Sequence, residues 1–156
     1  VPRALFYHLA AEPAEVLLPA LVGKALEAGL RLALRGADRA RMEALDLALW
    51  QGEGFLPHGL AGGPHDADQP ALLVWTATPA PELPNRPACL IALDGVPVDP
   101  AEAAALDRVL VVFDGADPAQ LATARAQWKA LTAAGIPAEY WARDGGRWIC
   151  KARHPA

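Results

Sequence analysis

One feature restricts the fold of this chain more than any other: short apolar runs of β character alternate with helical segments, with glycine and proline between them. That alternation marks an α/β sheet, because two parallel strands can be joined only by a crossover long enough to hold a helix. The β-type runs are Ala4 to Leu9, Leu30 to Leu34, Leu72 to Thr76, Cys89 to Leu93 and Arg108 to Phe113. A helical pattern runs from about Ala14 to Ala28 and closes on Gly29, with Pro19 predicting a kink or a later start. A second helix is capped by Asp38 and runs to about Trp50. A third opens at Asp117-Pro118, with Gln120 in the capping-box position, and ends near Gly135. Residues from Gln51 to Pro70 have no sustained period and read as a long loop, and the Pro79 to Pro84 stretch reads as a surface loop. Ala138 to Ala142 should turn at Asp144-Gly145-Gly146 into Arg147 to Cys150. The expected architecture is a Rossmann-like three-layer α/β sandwich with a mainly parallel central sheet and a C-terminal hairpin, formed by residues 1–156 as one domain.

Composition removes several functional classes. The chain has no serine, which excludes serine-nucleophile hydrolases. Its lysines, Lys24, Lys129 and Lys151, lie outside any phosphate-binding Gly-x-x-x-x-Gly-Lys-Ser/Thr loop. A formal net charge of −4 argues against strong direct nucleic-acid binding, which requires a dense basic footprint. Although 53% of residues are hydrophobic, no apolar run approaches the roughly 18 residues that would span a bilayer. Nothing reads as a secretory signal, and Cys89 and Cys150 are too far apart for a Cys-x-x-Cys site, so a reducing cytoplasmic location is expected.

Three constellations could carry function. Asp94-Gly95 and Asp114-Gly115 each end an apolar run, where an open α/β sheet gathers ligands. A nucleotide-dependent enzyme could use either aspartate, but Asp-Gly also simply turns a chain, and no Gly-x-Gly-x-x-Gly follows the first strand. His58, His65, Asp66 and Asp68 fall in the long loop without metal-ligand spacing, so a solvated loop is expected and no metal or cofactor. The third is helical. Met42, Leu45 and Leu49 form the buried stripe of the second helix, which leaves Trp50 at its edge, about 80° from Met42. In the last helix Leu121, Ala124, Trp128 and Leu131 form an apolar stripe, flanked by Arg125 and Lys129. Trp128 can be core beside a solvated cationic edge, or it can line an apolar pocket rimmed by cations.

Leu45-Asp46-Leu47-Ala48-Leu49-Trp50, followed by Phe55-Leu56-Pro57-His58-Gly59-Leu60-Ala61-Gly62, resembles the most diagnostic segment of the chi subunit of bacterial DNA polymerase III. Phe6-Tyr7, the entry from Gly29 to Leu34, and the helix with Arg125, Trp128, Lys129 and Gly135 follow in the family's order, and the similarity runs to about Trp148. The resemblance implies a non-catalytic adaptor. It would link the clamp-loader assembly, through the psi subunit or another clamp-loader subunit, to the acidic C-terminal tail of single-stranded-DNA-binding protein. It also implies that Trp50, Arg125 and Trp128 touch that tail, with Lys129 as a neighbouring cation. Chemically, Trp50 and Phe55 could wall a terminal phenylalanine while Arg125 grips its carboxylate. Trp128 stands where the best-known members have tyrosine, and the residues after Trp148 extend past the family pattern.

Overall fold

A computed structural model describes residues 2–10, 12–52 and 56–155. In chain order the strands are β1 (Ala4–Leu9), β2 (Leu32–Arg35), β3 (Gly59–Leu60), β4 (Ala71–Val74), β5 (Cys89–Leu93), β6 (Arg108–Asp114), β7 (Ala138–Asp144) and β8 (Arg147–His154). The α-helices are α1 (Ala14–Glu27), α2 (Arg39–Gln51), α3 (Pro100–Ala104) and α4 (Pro118–Ala133). The strands form one sheet in the order β3-β4-β2-β5-β6-β1-β7-β8. Every pairing is parallel except β7 with β8. This is the expected mainly parallel sheet with a C-terminal hairpin.

Local chemistry explains most boundaries. Asp38 and Asp117 cap α2 and α4, accepting bonds from Arg41 N–H and from Ala119 and Gln120 N–H. Gln120 does not complete a capping box; its Oε1 accepts the Asp114 N–H at 2.9 Å and ties the helix start to the end of β6. Gly29 and Gly135, at φ 77° and 83°, end α1 and α4 in the same way. The following residue reaches back from Leu30 N to Ala25 O, and from Ile136 N to Leu131 O. That closure consumes Leu30, so β2 begins two residues later than the apolar run. The helix continues through Pro19 rather than starting after it.

The sheet order places the two helical layers. From β1 the chain moves through α1 to β2, and through α2 to β4, in one direction along the sheet. It then reverses, moving through α3 from β5 to β6 and through α4 from β6 to β7. Because crossovers are right-handed, the reversal puts α3 and α4 on the other face. Two buried clusters match this: one joins Leu5 and Leu9 to α1 and α2, and the other joins Ala4 and Phe6 to Ala103 of α3 and to Ala124 and Leu131 of α4. Strands β2, β4 and β5 are buried on both faces, which is why Leu32 to Leu34, Ala71 to Val74 and Cys89 to Leu93 are apolar without alternation.

One strand and one α-helix among the described residues were not expected. The long loop contains β3, a two-residue edge strand too short to show a period. The five-residue α3 starts at Asp99-Pro100, a smaller version of the signal at Asp117-Pro118.

Candidate partner-binding site

The strand-end aspartates serve the fold. Asp94, at φ 58°, accepts from Arg41 Nε at 3.2–3.3 Å, and Arg41 also pairs with Glu15. Asp114 accepts from Ala116 N–H at 2.9 Å within its own turn. The crevice of about 360 Å³ at the ends of β1, β5 and β6 carries Glu12, Glu15, Asp94 and Asp114 against the single cation Arg41. Such a lining repels phosphate.

A larger cavity, about 720 Å³, opens beyond β2 and β4 and is walled by Trp75, Pro79, Pro81, Val96 and Val98. Its floor holds a buried ion pair that the sequence did not single out. Glu102 receives Arg35 Nη1 at 2.9 Å and Nη2 at 2.5 Å, together with the Ala80 N–H at 2.5 Å. The pair ties β2, α3 and the Pro79–Pro81 loop together.

His58 departs from the solvated-loop expectation. Its side chain is wholly buried, with Nδ1 2.6 Å from the Leu56 carbonyl and Nε2 3.1 Å from Asp46 Oδ1. The reason is Trp50, which is half exposed and lays its ring over the imidazole at a centroid distance of 4.1 Å. His65 and Asp68 are exposed, and Asp66 caps the Gly62 and Gly63 N–H groups. No group of potential metal ligands is found among the described residues. Leu47 is also exposed near the end of α2, so Trp50 belongs to an apolar surface patch. Phe55 lies outside the described residues.

On α4, Ala124, Gln127 and Leu131 face the sheet. Trp128 is half-buried. One side of its ring meets Phe6 at 5.4 Å and Tyr140 at 6.0 Å, and the rest remains accessible. Arg125 and Lys129 are exposed on the same flank, with no ion-pair partner among the described residues. The Tyr140 hydroxyl bonds His8 Nδ1 at 2.8 Å. Burial pushes its phenol pKa up, while the nearby Arg125 charge pulls it down.

These placements correct the expected single pocket. Trp50 is on α2, over β3 and β4, whereas Arg125, Trp128 and Lys129 are on α4, over β6 and β7 on the opposite face. Strands β4 and β6 stand three positions apart, about 14 Å along the sheet at ~4.8 Å per strand, and the sheet itself lies between the helices. The sequence could not show this, because the face of each helix depends on the order of strands.

Comparison with protein families gives a match over residues 1–139 to the family described as DNA polymerase III chi subunit, HolC. No curated protein matches the chain. The matched stretch carries both the Trp50 patch and the α4 flank and ends inside β7, leaving Tyr140 onward beyond it. No helix among the described residues is long and apolar enough to cross a membrane. The chain therefore belongs to the DNA polymerase III chi subunit family and is an accessory subunit of that polymerase.

Proposed function

We propose that this chain is a non-catalytic, cytoplasmic adaptor that joins the clamp-loader assembly to the acidic C-terminal tail of single-stranded-DNA-binding protein. The observation that carries the reading is the α4 flank, where Arg125 and Lys129 stand without an ion-pair partner among the described residues, beside the accessible edge of Trp128. A tail ending in phenylalanine presents a ring, a terminal carboxylate and upstream acids within a few residues. A guanidinium can hold the carboxylate by two parallel hydrogen bonds, and the aromatic edge can take the ring. An adaptor also needs a second, independent surface. The patch of Trp50 and Leu47, across the sheet, suits the clamp-loader side, whether the psi subunit or another subunit.

Calorimetry with an acidic peptide ending in phenylalanine tests the reading. Binding should weaken with salt and disappear when the terminal residue is removed. Parent protein that shows no binding at low salt overturns it. The competing reading, an enzyme using Asp94 or Asp114, requires nucleotide turnover that is lost in Asp94→Asn or Asp114→Asn.

A further inference from the structure

The hairpin beyond the matched family segment faces the same flank of α4. Ala138 and Tyr140 of β7 pack into the cluster that holds α4. Because side chains alternate along a strand and directly opposed residues share a face, the rest of this face can be assigned. Ala142 opposes Ile149, Asp144 opposes Arg147, and Tyr140 opposes Ala152. Between these pairs the register shifts at Tyr140/Trp141, leaving Lys151 as the extra residue of a bulge. Its Nζ lies 3.3 Å from Asp144 Oδ2, which places it on the same face.

No helix of the described chain follows α4, so beyond Ala138 and Tyr140 this face of the hairpin opens toward solvent, with Asp144, Arg147 and Ile149 exposed. Ile149 is 39% exposed there, on an edge strand where a β-branched apolar residue invites unwanted pairing. Arg147 and Lys151 are exposed beside it. Trp128 of α4 and Tyr140 of β7 meet at 6.0 Å where the two elements adjoin, with Arg125 and Lys129 exposed on the helix and Arg147 and Lys151 exposed on the hairpin. Among the described residues Asp144 is the acid on this face of the hairpin, and Lys151 answers it, while Glu139 pairs with Arg153. In a chain of net charge −4 this is a local concentration of cations around an apolar strip.

We propose that β8 forms the second wall of the tail-binding site: Ile149 packs against the apolar part of the bound segment, and Arg147 and Lys151 hold the acidic residues upstream of its terminal phenylalanine. This inference rests on the reading of α4 as the tail site. The occupant follows from charge complementarity, since an extended acidic segment with one apolar end matches cations spread along both walls and an apolar strip between them. Arg125 would take the terminal carboxylate, and the strand would read the sequence that precedes it.

Two peptides and three variants of the full chain test this. One peptide carries several acids before the terminal phenylalanine; the other keeps the same final residues with neutral ones upstream. The double variant Arg147→Gln/Lys151→Gln should bind the acidic peptide about 3- to 10-fold more weakly than the parent, with a shallower salt dependence, as expected for two screened surface cations. It should bind the neutral peptide as the parent does. Ile149→Thr, which keeps strand character, should weaken both peptides several-fold. Circular dichroism on each variant checks the fold. If Arg125→Ala weakens the acidic peptide while the β8 variants leave both peptides unchanged, the second wall is wrong and the α4 site stands. If neither peptide binds the parent, or Arg125→Ala binds both peptides as the parent does, the α4 reading falls and the inference with it.

Discussion

Replacing Trp50 and Arg125 by alanine, singly and together, tests whether one adaptor carries two separate surfaces. Arg125→Ala removes a charged hydrogen-bond donor with no internal partner among the described residues, so its loss should appear in binding rather than in folding. A charge-assisted hydrogen bond contributes about 1.5–3 kcal/mol, which at ~1.4 kcal/mol per decade is a roughly 10- to 150-fold loss of tail-peptide affinity. Trp50 is 50% exposed. Truncation removes about 100 Å² of buried ring, at most ~2.5 kcal/mol at ~25 cal/mol/Å², which a domain with 5–15 kcal/mol of stability should survive. Because the sheet lies between the two residues, Trp50→Ala should leave peptide affinity unchanged to within about 0.5 kcal/mol, and the double variant should match Arg125→Ala. Calorimetry with the peptide measures all three affinities, and circular dichroism confirms that each protein is folded. A folded Trp50→Ala that binds the peptide more than about fivefold more weakly would refute the separation of the two surfaces by the sheet.

Further predictions concern the framework. Glu102→Gln leaves the buried Arg35 guanidinium without its counter-charge and should cost about 3–5 kcal/mol, lowering the thermal midpoint by roughly 6–20 °C; replacing both residues by leucine should recover most of that loss. Burial pushes the Cys89 thiol from 9.0 up to about 12, so at pH 8 iodoacetamide should label Cys150 and spare Cys89 in the folded protein. The same shift has a defined sign: between those two values the unfolded chain releases a proton that the folded chain keeps, so stability falls as pH rises above 9. Cys89→Ala should remove this fall from a urea-denaturation series run between about pH 8 and pH 10. Gly115→Ala should be destabilising, because its Cβ would lie 1.8 Å from His8 Nε2, and restoring room with His8→Ala should relieve part of the loss.

The sheet ends in the two ways that edge strands require. At one side β3 is only two residues long, and at the other β8 carries Arg147, Lys151 and Arg153 and is broken by a bulge. Both devices discourage pairing with another sheet. The second also arrays cations beside α4, so protection of the edge and recognition of an acidic segment use the same residues.

Local signals in the sequence determined much of this protein. The apolar runs, the Asp caps and the closing glycines specify strands and helix ends through contacts within a few residues, and β5, β6 and the start of α4 appear where those signals lie. The motif from Leu45 to Gly62 likewise identified the family, since the order of residues along a chain is what a family match reads. The long-range arrangement was not legible. His58 became a buried support because Trp50, from another element, covers it. Arg35 and Glu102 are 67 positions apart and meet only after β2, β5 and β6 have assembled. Trp50 and Arg125 were expected to share a pocket because both sit beside apolar stripes, and a helical wheel reports the buried face of a helix but not the side of the sheet that face meets. That side is set by the direction in which each right-handed crossover travels, and the direction depends on the strand order, which exists only in the folded sheet.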